Sequence, residues 1–288
     1  MLWFFLSLLT AFSVALRDVS IKVFNDLHPR QIGVLELLFA LPFLAICFAF
    51  VPIPPLDNEF WWAFGISIPL NIIAYFVYLH ALKFSPLSLT VPFLAFTPVF
   101  MILTGFLILG ETVNSWGAAG VLLIVSGSYV LNISHLKEGL LKPFLSISQE
   151  KGSWMMLVLA LIYAFAAVIG KKAMLHSSPL FFSYAFFCVF NIVILAALFS
   201  RKKTNTLQTL RHNYGKGLWL GLLLFFHITA HGIAISISTA VYMISVKRSS
   251  ILISVFLSWI VLKEENIASR GIGSLLMFAG VVLITLFG

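Results

Sequence analysis

Apolar residues in this chain occur in long runs separated by short polar connections. A helix needs about 20 apolar residues to cross a bilayer. The pattern therefore predicts ten transmembrane helices, at residues 2–24, 31–51, 60–82, 87–109, 115–134, 153–174, 179–200, 216–237, 239–262 and 267–287. Pro29, Pro86 and Pro179 fall at predicted helix starts, whereas Pro92 and Pro98 lie inside the fourth run and predict a kink there.

Composition agrees with a multi-pass membrane protein. Of 288 residues, 61% are hydrophobic and 10% are charged, with a mean hydropathy of +1.06. The first run is followed by further runs rather than by a polar chain, so we expect it to remain a helix rather than a cleaved signal. Cys47 and Cys188 lie in apolar runs, which favours core packing over a metal or disulfide site.

The two halves of the sequence repeat. The stretch from Leu109 to Gly120 aligns with the stretch from Leu262 to Gly273 at an offset of 153, which places Glu264 opposite Glu111. Five helices per half force the second unit to enter the membrane from the other side. This predicts an all-α protein of two inverted five-helix repeats, at residues 1–134 and 153–288, joined by a loop at 135–152. Such repeats suit alternating access around a site near the midplane.

Small and acidic residues recur at equivalent positions. Gly120 and Gly127, like Gly273 and Gly280, are seven residues apart, so each pair lies on one helix face and predicts close helix packing. Glu111 and Glu264 end equivalent helices. We expect them to cap the following helix or to pair with nearby bases rather than to carry protons.

Several short motifs carry a family resemblance. They are Ala81-Leu82-Lys83-Phe84 before the fourth helix, Thr97-Pro98-Val99 within it, and Gly110-Glu111 followed by a glycine-spaced fifth helix. With the repeat, they make the chain similar to the EamA family of the drug/metabolite transporter superfamily over essentially its whole length. The resemblance implies a secondary transporter, not an enzyme, whose halves enclose a central cavity.

Basic residues predict the orientation. The odd-numbered connections carry most of the 18 Lys and Arg residues, whereas the even-numbered connections and the termini carry only Lys171 and Lys172. Because positive connections mark the cytoplasmic side, we expect both termini outside, in a cell inner membrane. The formal net charge of +8 thus indicates topology rather than nucleic-acid binding.

Once the basic residues at span ends are counted with the connections, three remain inside predicted spans, where an unpaired charge is costly. Arg17 is one of them. Its neighbour Asp18 points about 100° away and faces Lys22 one turn on, so Asp18 is poorly placed to pair with Arg17. Glu36 in the second helix is a plausible partner, and a place for Arg17 in the binding cavity is the alternative.

Lys247 and Arg248 are the other two, and they lie roughly 12 Å into the ninth span. No acid is within one turn of them, and Tyr242 and Ser250 are expected beside them. An anionic ligand could supply the countercharge, with Glu36 as the alternative. The Lys-Arg pair is also similar to the pair that holds substrate phosphate in triose-phosphate transporters, another branch of the superfamily.

Other polar residues could share the cavity. His227 and His231 lie on one helix face and are candidates for substrate binding or proton coupling, with Glu36 as a third coupling candidate. No acidic or cysteine ligand accompanies them, which disfavours a metal. Asn71, Tyr75 and Tyr78 form a stripe in the third helix that could line the cavity, and aromatic packing is an equal alternative.

The sequence favours a secondary transporter for a small organic metabolite, anionic and carrying a phosphate or carboxylate. Without a Gly-rich nucleotide loop, coupling to protons or to a counter-substrate is expected rather than direct use of ATP, and no cofactor is implied. Alternatives are a flippase for a phosphorylated lipid carrier and an exporter of amino acids or amphipathic compounds. Because the two repeats supply both halves of the site, a monomer suffices.

Overall fold

The structure is a computed structural model that describes residues 1–84, 91–132, 151–199, 210–262 and 271–288. In these ranges the chain is helical and contains no strand. The helices are α1 (Leu2–Val23), α2 (Pro29–Phe50), α3 (Asn58–Phe84), a 3-10 helix (Val91–Phe96), α4 (Thr97–Leu109), α5 (Ser115–Asn132), α6 (Lys151–Leu175), α7 (Pro179–Phe199), α8 (Tyr214–Ser236), α9 (Ala240–Lys247), α10 (Ser250–Leu262) and α11 (Gly271–Phe287).

Seven of the predicted spans have the length and hydropathy needed to cross a membrane. They are Leu2–Val23, Pro29–Phe50, Asn58–Tyr78, Trp154–Leu175, Pro179–Phe199, Tyr214–Ser236 and Ala240–Val261. The three others coincide with shorter apolar helices at Phe93–Leu109, Ser115–Val130 and Gly271–Phe287. The chain is therefore a multi-pass, all-helical protein. The loop predicted at 135–152 falls almost entirely outside the described residues, as do Pro86 and Glu264.

Proline sets the helix boundaries that the sequence predicted for it. Pro29 and Pro179 begin α2 and α7, where a missing N–H leaves no hydrogen bond unmade. In the fourth span, the 3-10 helix containing Pro92 gives way to α-helix at Thr97, and Pro98 occupies the first turn of α4. The predicted kink is thus a change of helix type.

The ninth span is broken, whereas the sequence predicted one continuous helix. Helix α9 ends at Lys247 and α10 begins at Ser250. Between them, the N–H of Arg248 donates to the carbonyls of both Ile244 and Ser245 at 3.1 Å, and the N–H of Ser249 donates to Val246 at 2.9 Å. The bonds to Ser245 and Val246 span three residues, as in a 3-10 helix, so the helix type changes at the two basic residues.

The two halves of the described chain, 1–132 and 151–288, pack together through several helix pairs. Helix α3 lies along α6, α8 lies along α1, and α5 lies along α11. Helix α4 packs on α6, and α10 packs on α1. Cys47 and Cys188 are both free thiols, and both pack against the same small apolar cluster, as expected of core residues.

Glycines allow α5 and α11 to approach closely. A Cβ added to Gly120 would lie 2.8 Å from the carbonyl oxygen of Gly280, and one added to Gly127 would lie 2.6 Å from that of Gly273. Gly120 lies opposite Gly280 and Gly127 lies opposite Gly273, so α5 and α11 run antiparallel. The glycine spacing correctly predicted this seam.

A buried ion pair joins the halves at one end of the bundle. Gly110 ends α4 in the left-handed conformation, with φ of 66°, and the next residue, Glu111, turns back toward the helices. The Glu111 carboxylate pairs with Lys171 of α6 and accepts a hydrogen bond from the N–H of Ala240 at 2.8 Å. Glu111 therefore caps α9 of the other half rather than the helix that follows it.

Exposed pairs flank this buried pair on the same face. Lys172 lies 2.7 Å from Glu59, and the His176 Nδ1 lies 2.7 Å from the Asp57 carboxylate. The N–H of Phe60 and the His176 ring lower the pKa of Asp57 by stabilising its ionised form. All three contacts link the first half to the second. They hold this end of the bundle closed.

The glycine seam can be tested with alanine. We expect Gly120→Ala to lower stability by about 1–3 kcal/mol, because the added methyl meets the Gly280 backbone, which has no side chain to move aside. Gly65→Ala is the matched control, since nothing lies within 4 Å of that position. Thermal unfolding in detergent measures both. Equal melting temperatures for the two variants would contradict the close approach.

Adjacent lysines test the buried pair. Lys171→Met leaves a buried Glu111 carboxylate without its countercharge and should cost about 3–5 kcal/mol. Lys172→Met breaks only an exposed pair and should cost about 1 kcal/mol or less. Adding Glu111→Gln to Lys171→Met should restore most of the loss, because no unpaired charge is then buried. Similar thermal stabilities for the two single variants would show that the Lys171 pair is not buried as described.

Candidate binding cavity

A cavity of about 370 Å³ lies between helices of both halves. This volume falls at the lower end of the range of about 300–1,000 Å³ typical of small-molecule pockets. Helices α3, α4, α6, α7, α8 and α9 contribute its walls. The lining residues are Ser67, Asn71, Thr97, Tyr163, Ala166, Ala167, Gly170, Met174, Phe182, Phe186, Phe187, His227, His231, Ile235, Ile244, Lys247 and Arg248.

Two interrupted helices meet at this cavity. Thr97 is the first residue of α4, and at an offset of 153 it corresponds to Ser250, the first residue of α10. The guanidinium of Arg248, at the break between α9 and α10, donates from Nη2 to the Thr97 hydroxyl at 3.0 Å. The Thr97 hydroxyl in turn donates to the Leu94 carbonyl at 2.7 Å. Arg248 of the second half therefore contacts the Thr97 hydroxyl of the first half, at the points where the two helices are interrupted.

Lys247 reaches the histidines of α8. Its Nζ lies 3.3 Å from the His227 Nε2. The rings of His227 and His231 stack with their centroids 5.8 Å apart and their planes 11° apart. Neither the Nδ1 of His231 nor the Nε of Arg248 has a hydrogen-bond partner within the described part of the chain. The cavity therefore contains polar atoms available to a ligand.

Neither cation has a countercharge among the residues that the structure describes. In the described ranges, neither Lys247 nor Arg248 forms an ion pair with a carboxylate, and no acidic residue lines the cavity. Burial takes the charges out of water and strengthens their attraction for any anion that enters. The described cavity wall therefore carries two cationic side chains and no acidic one.

Glu36 does not supply that countercharge, because Arg17 holds it. The Arg17 Nε donates to one Glu36 oxygen, and Nη2 donates to the other at 2.9 Å. This confirms the pairing considered from sequence. The expectation that Asp18 is poorly placed for Arg17 is wrong, since its carboxylate lies 3.5 Å from the guanidinium. Arg17 does not line the cavity.

Four other predicted site residues lie outside the lining. The Tyr242 hydroxyl accepts a hydrogen bond from the N–H of Asn114 at 3.3 Å, beside Gly117. Six residues correspond to about 240° around a helix, so Tyr242 and Arg248 face different directions. Ser250 is buried beyond the helix break. Tyr75 packs edge-on against Phe76 and Phe190, and Tyr78 packs against a separate apolar cluster.

Of the site residues predicted from sequence, Asn71, His227, His231, Lys247 and Arg248 line this cavity. Its lining also includes residues that sequence reasoning missed: Ser67, Thr97, Tyr163 and the phenylalanines of α7. Thr97 carried a signal, because it belongs to the Thr-Pro-Val motif at the predicted kink. Nothing in the sequence indicated that the phenylalanines face a cavity, because in a uniformly apolar helix a cavity face and a packed face have the same composition.

The histidine pair does not by itself form a metal site. Zinc and related ions take three or four protein ligands, and within the described ranges no group of three His, Cys, Asp or Glu side chains is placed to hold an ion. The lining chemistry, two cations with hydroxyls and imidazoles, suits hydrogen bonding to an organic ligand.

Comparison with known proteins supports the architecture and gives the family. Among solved structures, 28 chains match this one. One of them, described only as the crystal structure of a protein, superposes with a TM-score of 0.77 at 13% sequence identity, covering 99% of this chain and 96% of that one. This likeness shows a shared fold. No curated protein sequence matches the chain.

The sequence pattern of the EamA-like transporter family matches residues 1–133 and again residues 150–286. Proteins of this family are membrane transporters for small-molecule solutes and are generally not enzymes. The two matches together include nearly every residue of the chain. With its apolar helices and its cavity between two halves, the chain thus belongs to the EamA-like transporter family of the drug/metabolite transporter superfamily.

Proposed function

We propose that the protein is a secondary active transporter of a small organic anion, which binds in the cavity between the two halves. The observation that carries the proposal is the partly buried pair Lys247 and Arg248, which has no carboxylate partner in the described chain. A buried charge without a partner is costly, so such residues in a membrane protein mark substrate and ion pathways. An anionic solute relieves the cost when it binds.

The chemistry of the two residues suits a carboxylate or a phosphate group. The planar guanidinium of Arg248 can hold two oxygens of one anion, and its Nε has no other hydrogen-bond partner. Lys247 adds a compact charge that can follow the anion, and the Thr97 hydroxyl offers a further contact from the other half. An anion held by Arg248 is therefore near side chains of both halves.

The proposed framework is a ten-helix bundle of two inverted five-helix repeats, at 1–134 and 153–288. Helix contacts support it because they are preserved when the halves are exchanged. The α3–α6 contact corresponds to α8–α1, and the α4–α6 contact corresponds to α10–α1. The antiparallel α5–α11 contact is unchanged by the exchange, because α5 and α11 are the equivalent helices of the two halves. A two-fold axis in the membrane plane would relate such pairs.

Alternating access follows from this framework. The face that carries Asp57, Glu111 and Lys171 is tied across the halves by the buried ion pair and its exposed neighbours. Opening this face requires those contacts to break. Helix α9 begins at the Glu111 carboxylate and ends at Lys247, so its eight residues connect the closing contact with the anion site. Movement of either end would be transmitted to the other.

Protons or a counter-substrate provide the proposed driving force. His227 and His231 lie beside Lys247 within the cavity, and an imidazole can accept and release a proton. Glu36 is a weaker candidate, since both of its oxygens are held by Arg17. One chain contains both walls of the cavity, so a monomer is sufficient for transport.

We place the protein in a cell inner membrane with both termini outside, because Lys22 and Arg30 flank the connection between α1 and α2 and the connection between α7 and α8 is rich in basic residues. On the opposite face, the connection between α2 and α3 carries Asp57. The exposed Asp26 pairs with Lys216 on the basic face, and that hydrogen bond lowers the pKa of Asp26.

The anion site is tested by removing each charge with little change in size. Lys247→Met and Arg248→Gln should each weaken binding of a transported carboxylate or phosphate monoester by about tenfold or more. Arg211→Gln, at an exposed position, is the control. Uptake into proteoliposomes and ligand-dependent thermal stabilisation are the measurements. Wild-type uptake by both cavity variants, with the protein folded, would refute the proposal.

Orientation is tested by labelling single cysteines in a variant that lacks Cys47 and Cys188. Asn58→Cys should react with a membrane-impermeant thiol reagent added to intact cells, because Asn58 is exposed on the acidic face. Asn205→Cys, in the basic connection, should react only after the membrane is made permeable. The reverse pattern would place both termini in the cytoplasm.

A further inference from the structure

We propose that the transported anion is amphipathic, with its charged group at Lys247 and Arg248 and an aromatic body against the phenylalanines of α7. This inference rests on the proposed function and narrows its substrate class. The observation behind it is the division of the cavity into a cationic wall and an aromatic wall. Phe182, Phe186 and Phe187 line the same cavity as the two cations.

The two walls come from helices whose main neighbours differ. Helix α7 packs against α2, α3, α6 and α8, whereas α9 packs mainly against α1 and α4. Lys247 and Arg248 lie at the end of α9, and the phenylalanines belong to α7. A ligand that contacts both walls needs a polar end for the cations and an apolar end for the phenylalanines.

The rings of the aromatic wall are held by contacts with one another and with Phe64. The Phe182 and Phe186 rings stack with centroids 5.4 Å apart and planes 17° apart, and Phe186 stacks on Phe190 at 5.9 Å and 13°. Phe64 of α3 supports the stack, edge-on to Phe182 at 6.0 Å and to Phe186 at 6.4 Å. Rings fixed in this way can receive another ring with little loss of side-chain entropy.

Small side chains leave room near this wall. Ala166, Ala167 and Gly170 line the cavity along about one turn of α6, and a Cβ at Gly170 would lie 3.6 Å from the Phe182 ring. Met174 continues this apolar surface and can adjust to an irregular ligand. The cavity therefore has space for an apolar group beside the phenylalanines as well as for an anion at Lys247.

Polar anions fit this surface poorly. An inorganic phosphate or a short carboxylate would satisfy Lys247 and Arg248 but would leave the aromatic wall covered only by water. A polyhydroxylated anion would bring hydroxyl groups against phenylalanine rings, which offer no strong hydrogen-bond partner, and each buried unpaired hydroxyl reduces affinity. An aromatic ring avoids both costs because it displaces water from an apolar surface.

Matched ligand pairs test the inference on the full-length protein in liposomes. The pairs are propionate with 3-phenylpropionate, and inorganic phosphate with phenyl phosphate. We expect the phenyl member of each pair to bind about tenfold more tightly or better, from ring burial and aromatic contacts. Phe186→Leu and Phe187→Leu should each lower this preference about threefold or more. Phe278→Leu, at a position that is 65% exposed, should leave the preference unchanged.

The ratio between paired ligands is the readout, because it does not depend on how much protein is folded. Equal binding of both members, still lost in Lys247→Met and Arg248→Gln, would overturn the aromatic inference and leave the anion proposal standing. Tight binding of uncharged 3-phenylpropionamide would overturn the requirement for an anionic group. If no anion binds and neither cation variant changes transport, the proposed function itself fails.

Discussion

A charged side chain at bilayer depth needs a countercharge, a hydrogen-bonding partner or water, and this constraint organises the protein. Arg17 meets it with Glu36, and Lys171 meets it with Glu111. Both pairs lie between helices, so each also positions the elements that it joins. Lys247 and Arg248 differ because their described neighbours are His227 and Thr97, which are not anionic. Arg17 and Lys171 therefore hold helices together, whereas Lys247 and Arg248 are assigned to binding a solute.

Backbone geometry gives the two cations their location. A continuous helix through residues 239–262 would carry Lys247 and Arg248 on its sides, whereas the break between α9 and α10 places them at a helix end beside Thr97, which opens α4. Irregular backbone at membrane depth is tolerated only where protein or a cavity satisfies its polar groups. Both helix interruptions lie at the cavity, where Thr97 and Arg248 form part of its lining. The Glu111 cap on α9 connects both to the contacts that close one face.

Much of the arrangement was accessible from sequence because its signals are local or periodic. Run length located the helices, proline located the change of helix type before Thr97, and seven-residue spacing located the glycine seam. The Arg17–Glu36 pair was accessible because both residues lie at similar depth in neighbouring helices. Tyr242 was expected beside Arg248 in the cavity but lies outside it, because the two residues are six apart and six residues are not a helical repeat.

The sequence by itself determined the class of protein, the positions of its helices and the presence of buried cations, since these follow from hydropathy and from the cost of charge in lipid. Only the tertiary structure decided which acid meets which base and which side chains share the cavity. Glu36 could have served Arg17 or Lys247, and the choice depended on the distance between helices. Phe186 could have faced lipid, core or cavity, because an apolar helix in an apolar solvent has the same composition on every side.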